Sequence, residues 1–266
     1  MIILEGDQTV ITSRVLAQIS KHHIAVVICD NKYLPTGIYL ELGQYHRAAK
    51  RAMWQSKWTE LERLNAWTEV VRQKICNQIN LAIYFELDQD RISLMKDLLD
   101  DLTLGDSTNR EGHIAKVYFN TLYGQGFSRD DENIINHCMD YGYAIIRAQM
   151  ARAVSSLGLI PSLGIFHKNE YNSFNLVDDL MEPFRPLMDY YINQFILNNC
   201  QDYLSYETRL KLISFLNERI LIKGKKIFMN QAINDFVNSF IKAMEEDDFS
   251  KLLRIDINSY IGCDKK

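Results

Sequence analysis

The chain has 266 residues, 47% hydrophobic and 24% charged, with a formal net charge of −4. That suits a soluble globular protein of one large or two ordinary domains with a substantial core. The opening MIILEGDQTV lacks the basic and apolar regions of a secretory leader, and no stretch approaches the ~18 apolar residues of a membrane span. Five single cysteines (Cys29, Cys76, Cys138, Cys200, Cys263) with no CxxC argue against a zinc site and a disulfide framework. The expected compartment is the cytoplasm, with no membrane partner.

The first thirty residues read as β, α, β. Residues 2–4 form a short apolar strand ending at Gly6, Thr12 or Ser13 caps a helix carrying Val15, Leu16 and Ile19, and the β-branched run 24–29 is a buried strand. Pro35 and Gly37 mark a break. From about residue 40 the pattern is helical: 48–57, 59–85, a helix starting near 88–90, a turn at 105–107, and a helix from 109 to 123 stopped by Gly124. Asp130 is positioned to cap a long helix to 157 that stops at Gly158; 159–166 is irregular. Asn175 or Asp178 starts a further helix, interrupted by Pro183 and Pro186, and two or three more follow. The expected fold is mainly α: a small N-terminal β-containing domain, 1–38, before a large all-helical domain, 39–266.

A pI of about 5.9 counts against nucleic-acid binding, but charge is unevenly spread. Between 45 and 75, Arg47, Lys50, Arg51, Lys57, Arg63, Arg72 and Lys74 face only Glu60, Glu62 and Glu69. A second basic run is Arg209, Lys211, Arg219, Lys223, Lys225 and Lys226, while acids gather at 130–132 and 245–248. Such runs are either solvated helix faces or surfaces for phosphate.

Three segments hold residues able to do chemistry. In TNREGHIAKVYF, 108–119, Thr108-x-x-Glu111 fits a capping box, which would occupy Glu111 structurally; Ala115 and Tyr118 share its face, so the carboxylate could also lead an inward stripe. In GIFHKNEYN, 164–172, His167 follows an apolar run, where a lone histidine is more often a hydrogen-bonded structural residue than a ligand. In NLVDDLMEPFRP, 175–186, Asp179 and Glu182 are i,i+3 and Asp178 and Glu182 i,i+4, so they repel unless a cation lies between them. Acids favouring a helix N-terminus are the alternative. Two carboxylates and an imidazole would suit Mg²⁺ or Mn²⁺ and phosphodiester chemistry. No Walker loop, GxGxxG, HExxH, GxSxG or EF-hand pattern competes.

Taken together, NREGHIAKVYFNTLYG (109–124), YGYAIIRAQMAR (141–152), GIFHKNEYNSFNLVDDLMEPFRP (164–186) and CDNKYLPTG (29–37) resemble the CRISPR-associated integrase family of spacer acquisition, most closely its type II branch. The resemblance implies a divalent metal, Mg²⁺ or Mn²⁺, held by Glu111, His167 and Glu182, with Asp179 at a further acidic position near the site. It implies joining of 3′-hydroxyl ends of short foreign DNA to the CRISPR repeat by transesterification; in the basic run, Arg47, Lys50 and Arg51 are the candidates for backbone phosphate contacts. It further implies a homodimer, two of which flank a dimer of a small ferredoxin-like adaptation partner on double-stranded DNA, alongside other type II CRISPR proteins. Family chains usually begin with more strands than MIILEG, so the N-terminal domain is expected to be partial. The competing expectations are a metal-dependent nuclease of DNA repair or a mobile element, and a catalytically idle DNA-binding scaffold.

Overall fold

The computed structural model describes residues 1–6, 8–22, 24–31, 33, 35–39, 45–199 and 201–263. Cys200 lies outside the described residues, as do Lys32 and Leu34 of the CDNKYLPTG segment. Strand β1 (Ile2–Leu4) pairs in parallel with β2 (Val26–Cys29), with Ile3 opposite Val27. The crossover is helix α1 (Ser13–Lys21), capped by Thr12, whose hydroxyl accepts from the Val15 amide at 3.4 Å. Where a break was expected, β3 (Pro35–Tyr39) runs antiparallel to β2, with a register slip between Ile28 and Cys29. The proline is tolerated because β3 is an edge strand and Pro35 is its first residue, where a missing donor costs no ladder bond.

The rest is mainly α, as expected: α2 (Ala48–Gln55), α3 (Glu60–Tyr84), α4 (Gln89–Asp100), α5 (Arg110–Tyr123), α6 (Ile134–Ser156), α7 (Asn175–Met181), α8 (Arg185–Tyr191), α9 (Tyr206–Ser214), α10 (Met229–Glu246) and α11 (Ile257–Ile261). Two long helices organise the core. Helix α3 starts in a capping box, the Glu62 amide donating to Thr59 Oγ1 and the Thr59 amide to Glu62 Oε2. Beyond Ala66 it is buried on most of its surface and packs against α4, α5, α7, α8 and α11. Helix α6 is likewise buried and packs against α7, α8, α9 and α10. Its cap is Asn133 rather than Asp130, because residues 128–133 close their own turn, the Ser128 amide donating to Asp131 and the Asn136 amide to Asn133 Oδ1.

The C-terminal region also contains a hairpin that the basic run concealed. Strands β4 (Arg219–Ile222) and β5 (Lys225–Phe228) pair around Lys223 and Gly224, both at positive φ, as a tight two-residue turn requires. The N-terminal sheet is tied to the helices through Glu5, which accepts from Tyr141 Oη at 2.7 Å and from Arg209 Nε at 3.1 Å. The Arg209 guanidinium lies 3.8 Å from the centre of the Tyr33 ring. Among the described residues no helix is long and apolar enough to cross a membrane.

Candidate active site

Glu111 is free of the capping box expected for it. Asp106, on the turn before α5, accepts from the Arg110 amide at 2.7 Å and the Glu111 amide at 3.1 Å. It thereby satisfies the orphan donors of the first helical turn, while Asn109 sits at φ 53° and caps nothing with its side chain. That turn is pinned to α3 by the Gly105 amide, which donates to Thr68 Oγ1 at 2.7 Å. The Glu111 carboxylate is therefore available, and it ion-pairs with the ammonium of Lys74 on α3.

Glu182 pairs with the same ammonium. It follows α7 in a 3₁₀ turn, Glu182–Phe184, and Asn77 on α3 holds that turn by donating to the Pro183 carbonyl at 3.0 Å. Its Oε1 pairs with Arg185 at 3.1 Å, while Oε2, beside Lys74, has no donor aligned on it. Burial alone would raise the Glu182 pKa, but Arg185 and Lys74 outweigh it and hold the carboxyl below its usual range. Burial likewise opposes the charge on Lys74, and Glu182 and Glu111 overcome it, raising the ammonium's pKa. The expected repulsion along 178–182 is thus removed residue by residue. Asp178 turns to Arg147, with both oxygens 2.7 Å from its guanidinium, and Asp179 turns to the His167 loop.

The loop between α6 and α7 is built by buried side chains. Gln55 donates to the carbonyls of Ile160 and Leu163, at 3.1 and 3.0 Å, and accepts from the Ile160 amide at 2.7 Å. Asp179, fully buried, accepts from the amides of Ile165, Phe166 and His167 at 2.7, 3.1 and 3.1 Å. The same carboxylate lies 2.6 Å from His167 Nδ1. Gly164 is required by this close approach: a Cβ there would stand 2.8 Å from Asp179 Oδ2 and 2.4 Å from the His167 carbonyl oxygen. Phe166 stacks on Trp67 of α3 at 4.3 Å, and the His167 ring meets Trp67 edge-on. The hydrogen bond to Asp179 raises the His167 pKa against the opposing effect of burial. With Nδ1 so engaged, Nε2 is the ring nitrogen left for a ligand.

His167 lines a polar cleft of about 610 Å³ with Gln55, Arg63, Lys168 and Asn172. Helix α2 also lines a smaller cavity of about 200 Å³ that gathers Arg47, Lys50 and Arg51 with Tyr45, Trp54 and Glu245. Arg47 and Lys50 are exposed there. Arg51 is not: it pairs with Glu245 at 2.6 Å and lies over the rings of Tyr45 and Trp54, so it builds the wall and is turned away from solvent.

Two carboxylates and an imidazole are the donor set of a hard or borderline divalent cation, and the buried Glu182 Oε2, already held against a cation by its ion pair with Lys74, fits that use. A closed cage is absent: among the described residues no three His, Cys, Asp or Glu side chains converge closely enough to hold a metal ion. What draws Glu111 and Glu182 together is the Lys74 ammonium. Sequence reasoning counted Lys74 among surface charges, yet it is buried; the signal was its place on the apolar face of Val70, Val71 and Ile75. Arg185, Asp106 and Gln55 were also missed, each working through contacts that spacing alone does not disclose.

Residues 1–230 match the family described as CRISPR associated protein Cas1. A CRISPR-associated endonuclease Cas1 of Neisseria meningitidis serogroup C is 36% identical over 242 residues, 90% of this chain and 79% of that protein. A homologue of the same description from Francisella tularensis subsp. novicida is 23% identical over 84% of this chain and 77% of its own. Among solved structures, a chain of a partial Cas6-RT-Cas1–Cas2 complex superposes with a TM-score of 0.69 at 19% identity, covering 96% of this chain and 87% of that one. A casposase bound to its integration product superposes with a TM-score of 0.61 at 19% identity, covering 97% and 85%. The fold is thus shared with both, and the chain belongs to the Cas1 family of CRISPR-associated proteins.

Proposed function

We propose that this chain is a divalent-metal-dependent DNA integrase and endonuclease of CRISPR adaptation, of the type II branch, which joins the 3′-hydroxyl ends of short foreign DNA to the CRISPR repeat by transesterification. The observation that carries the proposal is the meeting of Glu111 and Glu182 about one cationic position, in a family whose named relatives are endonucleases. Glu111, His167 and Glu182 would hold Mg²⁺ or Mn²⁺, which when bound supplies Lewis acidity at the scissile phosphate. Glu182 stays ionised because Arg185 and Lys74 depress its pKa. Asp179 acts behind His167, keeping the proton on Nδ1 so that Nε2 carries a free lone pair. Arg47 and Lys50, exposed on the α2 wall, take backbone phosphates and set DNA register without reading sequence, while Arg51 keeps that wall in place. With water in place of the 3′-hydroxyl the same residues would cut DNA.

The assembly proposed is a homodimer working in the cytoplasm on double-stranded DNA with a small ferredoxin-like partner dimer, in line with the Cas1–Cas2 complexes named for its structural neighbours. Within each copy, residues 1–38 would be the partial N-terminal β domain with its linker and 39–266 the helical catalytic domain. The test is strand joining: short DNA with free 3′-hydroxyls and a repeat-bearing plasmid, with and without the small partner, in Mn²⁺, Mg²⁺ or chelator. Joining that needs the metal and is lost in Glu182→Ala bears the proposal out. Metal-dependent cutting without joining points to a repair nuclease, and DNA binding with neither activity to an idle scaffold.

A further inference from the structure

Glu111 and Glu182 carry two negative charges, and Lys74 and Arg185 carry two positive ones, so the group is neutral with no metal ion present. The two cations are not equivalent. Arg185 pairs with one oxygen of Glu182 and rests over the Tyr143 ring, 5.1 Å from its centre. Lys74 alone bridges both carboxylates, reaching them from α3 with its side chain 8% exposed. An ammonium is a compact charge on a flexible four-carbon stem, able to leave a carboxylate pair without disturbing the helix that bears it. A divalent cation arriving with the ammonium still in place would meet a like charge within contact distance, in a buried setting where screening by solvent is weak.

We infer that Lys74 is the resident cation of this site: it holds Glu111 and Glu182 together without metal and competes with the divalent ion for them, so that metal loading is an exchange. The inference rests on the proposal that Glu111, His167 and Glu182 hold a divalent cation. It makes Lys74 a positioning residue that weakens metal affinity while stabilising the metal-free fold.

The test uses the full chain as wild type, Lys74→Met, Lys74→Gln, Glu182→Gln and His167→Ala, each titrated with Mn²⁺ while free Mn²⁺ is followed by electron paramagnetic resonance. Melting is recorded in chelator and in Mn²⁺. Lys74→Met and Lys74→Gln are expected to bind Mn²⁺ at least tenfold more tightly than wild type. Both should melt at lower temperature in chelator and recover more on adding Mn²⁺. A methionine variant that folds only in Mn²⁺ supports the inference, and the glutamine variant decides the matter if the methionine chain folds in neither condition. Unchanged or weaker affinity in a folded Lys74 variant overturns the inference while leaving the metal site standing. Wild-type affinity in both Glu182→Gln and His167→Ala, or no Mn²⁺ bound by any chain, overturns the metal site itself and the inference with it.

Discussion

Asp179 is the residue on which the site's geometry turns, because one fully buried carboxylate serves three backbone donors and the His167 ring. Asp179→Asn keeps the size but places an amide NH₂ among N–H donors, so at least one of them loses its acceptor. The expected result is a loss of about 1–3 kcal/mol in stability, read by chemical denaturation, and a fall of roughly 10–100-fold in metal affinity or strand joining, read by titration and by gel. A second buried acid has no place at the metal and reports on the core. Asp189 accepts from Tyr118 at 2.9 Å and Tyr143 at 2.5 Å, and burial lifts its pKa from 3.8 to about 6 despite those two bonds. Since the folded value stands above the unfolded one, the folded chain binds the proton more tightly. Asp189 therefore costs stability as pH rises from about 4 to above 6, by a total on the order of 3 kcal/mol. The stability of wild type relative to Asp189→Asn should fall over that window; a pH-independent difference between the two melting curves would exclude the linkage.

At the level of elements, helix starts decide what the site can use. Thr59 and Glu62 form a capping box, whereas Thr108 and Glu111, with the same spacing, do not, because Asp106 reaches the amides first. Asp106→Ala should let Glu111 fall back toward its own helix start. Loss of the cap costs about 1 kcal/mol in thermal or chemical melting, and metal affinity should drop as well. Gln55→Ala should cost about 1–3 kcal/mol through the unpaired carbonyls and amide of the 160–163 segment, and limited proteolysis should then cut within 157–174. The sequence made α1, α3 and α5 legible because the apolar period there is joined by the caps Thr12 and Thr59 or the stop at Gly124. It hid β3 and the β4–β5 hairpin because Pro35 and the alternating lysines carry breaker and charge signals that only pairing partners override. Glu111, His167 and Glu182 stood out through long motifs. Lys74, 37 residues from Glu111 in sequence, and Gln55, 105 from Ile160, are joined to the site only by folding.

Across the whole molecule, α3 is the common wall: it presents Lys74 to both acids, Asn77 to the Glu182 turn, Trp67 to the histidine loop and Thr68 to the turn before Glu111. Three sequence-distant pieces are referred to one rigid helix, which is how a site assembled from the start of α5, the turn after α7 and a loop keeps its geometry. The N-terminal sheet is attached through the polar contacts of Glu5 with Arg209 and Tyr141 and through Ile3 and Ile38 packed on the core. Glu5→Ala leaves a largely buried guanidinium without its carboxylate and should cost about 3 kcal/mol, read as early proteolytic release of residues 1–39 while the helical part stays protected. The local neutrality of the Glu111, Glu182, Lys74 and Arg185 group has a kinetic consequence for the proposed integrase. A cluster of bare carboxylates would repel an approaching polyanion until metal arrived, whereas a balanced one presents no such barrier. DNA can then dock before the ion arrives, so association should be measurable in chelator at matched ionic strength, with only the chemical step waiting on the metal.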